Sequence, residues 1–185
     1  MRIFISLELP EDFKQEILKL SSELRSLCPY QIKWVEPENL HITFLFIGET
    51  KSENVETVTK MLEDRLSKLD IQTFSKPQLE IIPKRDPRIL WVALENESEA
   101  IHNVWQRIKR DLKKYGFELD KKPLRFHITL GRIKKKLPAD FIKEVLTRKI
   151  ENRDIYVDKI TLYESVLKPE GPEYYELAHY NLTKE

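Results

Sequence analysis

The chain has one cysteine, four glycines and two methionines in 185 residues, and its formal net charge is only +1. Each scarcity excludes something. A lone Cys28 cannot form an internal disulfide, which rules out a disulfide-stapled secreted scaffold and fits a reducing compartment. No apolar run approaches the roughly 18 residues of a membrane-spanning helix. The opening MRIFISLELPED turns acidic instead of continuing into a signal-peptide core. A soluble cytoplasmic protein with no membrane partner is expected. The near-zero net charge gives no strong field over the whole molecule, so attraction to a polyanion must come from a local patch. Low-complexity segments and Gly/Ser linkers are also missing, and 41% hydrophobic residues suffice for a core, so residues 1–185 are expected to form a single domain.

What the chain does have is charge: 34% of its residues are charged, against roughly 25% in ordinary soluble domains. With so few labile residues, that balance resembles a thermophile's protein. Residues 2–9 predict a strand, and LPEDF then opens a helix with Phe13, Ile17, Leu20, Leu24 and Leu27 at helical spacing. Thr50 and Glu53 fit a capping box ahead of Val55, Val58, Leu62 and Leu66. A third helix is predicted from about Ser98 to Tyr115, and a short fourth from LPADF near Pro138. Strands are predicted over 31–36, 40–47, 76–83, 88–95, 125–132, 154–164 and 173–182. The hairpin-like PQLEIIPKRDPRILWVAL argues for antiparallel pairing and an α+β class. The peptide LPxDFxxE occurs at 9–16 and again at 137–144, an offset that disagrees with the motif described next, so it reads as shared helix-start chemistry.

Two of the four histidines lie in the same tripeptide, His-Ile-Thr, at 41–43 and at 127–129. Side chains alternate across a strand. His41, Thr43 and Leu45 should therefore share one face, and Leu40, Ile42, Phe44 and Phe46 the other, which is wholly apolar and reads as the core face. Phe126, Ile128 and Leu130 likewise leave His127 and Thr129 together. If both polar faces meet one cleft, two imidazoles and two hydroxyls converge on a small ligand. Such a set suits displacement at phosphorus: one imidazole takes a proton from the attacking oxygen and the other gives one to the leaving oxygen. Threonine hydroxyls can hold the nonbridging oxygens. No metal or cofactor is required by this arrangement. A single HxT reads as polar-face filler, and a zinc site is a further rival that wants ligands the strand does not offer. His102 and His179 read as filler and as a strand residue with a local partner.

With these motifs in place, the chain is identified as resembling the 2H phosphoesterases, specifically the bacterial and archaeal 2′-5′ RNA ligase or RNA 2′,3′-cyclic phosphodiesterase family. The resemblance runs over nearly the whole chain, through RIFISLELP, ENLHITFLFIGE, PRILWVAL, FHITLGRI and ITLYESVLKPEGPEYYEL. It implies a bilobal, pseudo-twofold α+β fold with antiparallel sheets lining a central cleft, helices outside, and no metal or organic cofactor. The implied activity is hydrolysis of RNA 2′,3′-cyclic phosphate ends to 2′-phosphates, with weak reversible 2′-5′ ligation in some members. His41 would be the general acid and His127 the general base, the labels exchanging when the chemistry runs the other way. Thr43 and Thr129 would hold the phosphate and Arg132 would neutralise it. By strict alternation Arg132 belongs to the apolar face, so reaching the cleft needs a strand end or a bulge at Gly131. The family commonly has proline where Phe126 stands; core filler or a base-contacting surface are its two readings.

RNA is the expected partner, bound by a monomer. Residues 121–136 hold Lys121, Lys122, Arg125, Arg132, Lys134, Lys135 and Lys136 without a carboxylate, a patch that brackets His127 and would contact phosphates. Trp34 is a candidate for stacking on a base. Within the superfamily, a small cyclic phosphate or 2′-5′ oligoadenylate is the alternative substrate; outside enzymes, the alternative is a non-catalytic RNA-end-binding module.

Overall fold

The computed structural model describes residues 1–183. Its strands are β1 (Arg2–Leu7), β2 (Ile32–Trp34), β3 (Ile42–Glu49), β4 (Gln72–Ile82), β5 (Ile89–Glu95), β6 (Phe126–Ile133), β7 (Ile155–Val157), β8 (Lys159–Lys168) and β9 (Gly171–Asn181). The helices are α1 (Glu11–Leu27), α2 (Ser52–Leu66), α3 (Glu99–Lys114) and α4 (Ala139–Thr147). Eight strands form one curled antiparallel path, β7-β4-β5-β6-β3-β1-β8-β9, and β2 joins it by pairing with β6. The α+β class and antiparallel pairing expected from the sequence are what the structure has.

The joint of this path is the contact between the two motif strands, where Ile42 pairs with Ile128. Four strands lie on each side of it, and the order outward matches: β3, β1, β8, β9 on one side and β6, β5, β4, β7 on the other. This is the expected pseudo-twofold. It makes α1, which follows β1, the counterpart of α3, which follows β5, so the two LPxDF helices α1 and α4 are not equivalent. Their likeness is that each starts after an extended proline, Pro10 or Pro138.

The helices cover the outer face with apolar stripes: Phe13, Ile17, Leu20 and Leu24 on α1, and Ile101, Val104, Trp105, Ile108 and Leu112 on α3, are buried in one continuous core. Ile42 and Ile128 are fully buried in it, each stabilising the joint by about 1.5–3 kcal/mol of apolar transfer. Arg65 of α2 clamps Asp111 of α3 with two hydrogen bonds, at 2.6 and 3.0 Å. The capping box expected at Thr50 does not form. Thr50 pairs its backbone with Met1 and donates its hydroxyl to the Gly48 carbonyl at 3.1 Å, and α2 begins at Ser52 without a side-chain cap.

Candidate active site

Continuing the antiparallel register of Ile42 and Ile128 sets His41 across from Thr129 and Thr43 across from His127. The two tripeptides thus present their polar faces together, and His41, Thr43, His127, Thr129 and Arg132 all line one cleft of about 470 Å³.

Each motif strand carries a bulge one residue after its threonine. In β3 the pairing with β1 passes from Thr43 to Leu45, leaving Phe44 as the extra residue; in β6 the pairing with β5 passes from Thr129 to Gly131, leaving Leu130 extra. A bulge inverts the alternation beyond it. Arg132 is thereby turned into the cleft, as the bulge considered at Gly131 would require. The same inversion corrects the face assignment of β3: Leu45 is buried, whereas Phe46 is 63% exposed and lines the cleft. The carbonyls at both bulges are satisfied, Phe44 by the Trp105 indole at 3.1 Å and Leu130 by the Val35 N–H at 2.8 Å.

The surroundings of the two imidazoles differ. His41 follows the 3₁₀ turn Pro37–Asn39, and its Nδ1 lies 2.6 Å from the Asn39 carbonyl. A carbonyl only accepts, so Nδ1 carries a proton and Nε2 is the atom left facing Thr43 Oγ1, 2.8 Å away. The ring packs against Phe4 and edge-on to Tyr174. Burial lowers the His41 pKa, opposed by the Asn39 carbonyl and the Glu8 carboxylate; Glu8 is held by the Tyr163 hydroxyl at 2.8 Å. His127 stacks on Trp91 with centroids 4.1 Å apart, and the indole is fixed by its N–H to Glu80 at 2.9 Å. The buried His127 Nδ1 makes no well-formed hydrogen bond, although the Arg125 backbone lies near enough to favour the protonated ring. Burial lowers the His127 pKa too; the Arg125 backbone opposes it, and the nearby charges of Arg125, His41 and Arg132 add to the lowering.

The aromatic candidates do not present themselves to a ligand, although Trp34 borders the cleft. Trp34 is buried, its indole donating to the Cys28 carbonyl at 3.0 Å, so it has no face free for stacking. Phe126 is core, edge-on to Phe74. His102 bonds the Ser98 carbonyl, and His179 pairs with Glu176. The basic run 121–136 is divided by the fold: Arg132 and Lys134 line the cleft, joined by Lys33 and Lys168 from other segments, while Arg125 lies over Trp91. Among the described residues no three His, Cys, Asp or Glu side chains group as metal ligands, and no helix is long and apolar enough to cross a membrane.

A model of the 2′-5′ RNA ligase superfamily matches residues 9–168. An Archaeoglobus fulgidus protein named RNA 2′,3′-cyclic phosphodiesterase is 32% identical over 182 residues, covering 96% of this chain and 98% of that one. A Thermotoga maritima protein of the same name is 26% identical over 175 residues, with 94% and 91% covered. Among solved structures, a Thermus thermophilus protein superposes with a TM-score of 0.78 at 26% identity, covering both chains completely. Escherichia coli LigT complexed with 3′-AMP superposes at 0.77 with 20% identity, over 99% of this chain and 98% of that one, a likeness of fold.

Proposed function

The chain belongs to the 2′-5′ RNA ligase superfamily, and from that premise we propose that it hydrolyses RNA 2′,3′-cyclic phosphate ends to 2′-phosphates without a metal. The observation that carries the reading is the register at Ile42 and Ile128, which faces two His-x-Thr units across one cleft. Water attacks phosphorus while His127 takes its proton; the bond from phosphorus to the 3′ oxygen breaks, and His41 gives its Nε2 proton to that oxygen. The products are a 2′-phosphate and a free 3′-hydroxyl. Thr43, Thr129 and Arg132 hold the nonbridging oxygens as their charge grows.

The division of roles follows from the surroundings. Burial lowers both imidazoles and a backbone carbonyl opposes it at each. The neighbouring charges, a carboxylate beside His41 and arginines beside His127, favour His41 as acid and His127 as base in the cleavage direction. A 5′-hydroxyl replacing water would give a 2′-5′ link, a weak ligation by the same machinery. Phe46, next to the phosphate site, offers the exposed ring face on which a base can stack.

The test is a short RNA ending in a 2′,3′-cyclic phosphate, incubated with excess chelator. Clean conversion to the 2′-phosphate is expected. His41→Ala and His127→Ala should each lower kcat by about 10²–10⁴, roughly 3–5 kcal/mol in the barrier. Activity within threefold of wild type in either variant would remove that residue from the mechanism. Turnover of a small cyclic phosphate alone would reassign the substrate.

A further inference from the structure

The wall of the cleft beyond His41 carries positive charge that the reacting phosphate does not use. β2 is three residues long and among the described residues pairs only with β6, where it continues the sheet at the end from which β3 runs away. Its register sets Lys33 opposite Arg132. Lys134, two residues further, is tied to the same edge by its N–H to the Gln31 carbonyl at 2.8 Å. Both lysines are exposed and line the cleft.

Neither lysine forms an ion pair among the described residues, whereas Arg65, Arg88, Arg148 and Arg153 all do. What sets these two apart from other unpaired lysines is their place on one edge of the cleft, beside Arg132. Of the carboxylates that line the same cleft, Glu36, Glu38, Glu170 and Glu173, Glu36 is engaged by Arg25 at 3.6 Å and Glu173 accepts from the Tyr175 hydroxyl. The placement of Lys33 is fixed by packing on both sides: Trp34 is anchored to the Cys28 carbonyl, and Gly131 lets β2 approach closely, since a Cβ there would overlap the Ile32 side chain.

Direction comes from the chemistry. If His41 protonates the leaving 3′ oxygen, the ribose of the terminal nucleotide lies on the His41 side. Because His41 faces Thr129 and β6 runs on from there to Arg132, Lys33 and Lys134 stand at that same end. We propose that Lys33 and Lys134 form a second phosphate subsite, which takes the phosphodiester joining the terminal nucleotide to the one before it. The site then selects chains of two or more nucleotides over mononucleotide cyclic phosphates. This rests on the reading of the cleft as a cyclic phosphodiesterase site.

The experiment compares kcat/KM for adenosine 2′,3′-cyclic phosphate and for the dinucleotide ApA ending in a 2′,3′-cyclic phosphate, in wild type and in the Lys33→Gln/Lys134→Gln variant. Wild type should favour the dinucleotide by about tenfold or more. The variant should lose that preference while keeping mononucleotide turnover within threefold. Its salt dependence on the dinucleotide should flatten by roughly 0.7 in the slope of log kcat/KM against log salt, one phosphate contact on a single strand. Equal use of both substrates by wild type, or an equal loss on both in the variant, overturns the subsite. Should neither substrate turn over, the activity reading fails by itself. Equilibrium binding of the 2′-phosphate-ended mononucleotide and dinucleotide then decides the subsite: a dinucleotide preference that the variant lacks supports it, and equal binding overturns it.

Discussion

Replacing Gly131 by alanine tests whether the bulge and the approach of β2 set the site. Gly131 is buried in β6 between Leu90 of β5 and Trp34 of β2. A Cβ there would overlap Ile32 Cγ2, lie 3.2 Å from the Lys33 carbonyl oxygen and 3.5 Å from Trp34 Cα. The overlap is with a branch of the buried, β-branched Ile32 rather than the far end of a flexible side chain, and the Lys33 oxygen must also give by a few tenths of an ångström, so β2 and β6 have to shift apart. Overpacking of this kind costs about 1–3 kcal/mol, and the loss of glycine's freedom in the unfolded chain offsets roughly 0.4–1 kcal/mol. The net is a loss of about 1–2 kcal/mol, which lowers Tm by roughly 2–8 °C for a chain of this size. Arg132 follows Gly131 directly, so a displaced strand also moves its guanidinium. A shift near 1 Å costs on the order of 10²-fold, and a partial shift should lower kcat/KM by about tenfold. Thermal unfolding and steady-state kinetics on the same preparation measure both. An unchanged or raised Tm with full activity would show that β2 is not held against Gly131 as described.

Two further outcomes follow from the geometry. Both imidazole pKa values are lowered by burial: His127 then stays a competent base to lower pH, His41 loses its proton earlier on the alkaline side, and both limbs of kcat/KM move down. Its optimum should fall below about pH 6.5, and an optimum above about pH 7.5 with chemistry limiting would contradict the shared burial. Phe46→Ala should raise KM by roughly 5- to 160-fold, the equivalent of about 1–3 kcal/mol of base stacking, with Tm lowered by no more than a few degrees because the ring is 63% exposed and its aromatic partner is Phe4. A large fall in Tm with unaltered KM would assign Phe46 to packing instead.

The convergence of the two motifs was legible because alternation holds across each His-Ile-Thr. It failed one residue later. Nothing in Phe44 or Leu130 distinguishes a bulged residue from an ordinary strand residue, and only Gly131 carried a hint. Yet Phe46 and Arg132 occupy the same place, five residues after each histidine, so a bulge that turns Arg132 into the cleft implies, through the pseudo-twofold, that Phe46 is turned there too. The capping box was misread because the residues fit it, while the long-range pairing of Thr50 with Met1 took the backbone first. The basic run failed differently: adjacency in sequence put Lys121 and Lys122 with Lys134, whereas the fold joins Lys134 with Lys33 from β2 and separates Arg125 onto the far side of His127.

Identical tripeptides related by a pseudo-twofold cannot by themselves divide an acid from a base. The difference has to come from what the surrounding chain adds unequally. On the first copy, a 3₁₀ turn lays the Asn39 carbonyl under Nδ1, and the end of β1 brings Glu8 nearby. On the second, β6 begins directly at Phe126, leaving Nδ1 without a well-formed hydrogen bond, and its neighbours are arginines. The inequality extends to the walls. The two bulges aim side chains of opposite kind into one cleft, an aromatic ring from β3 and a guanidinium from β6, while β2 pairs, among the described residues, only with β6. A ligand with a flat apolar end and a charged end therefore has one favourable orientation between two near-equivalent histidines.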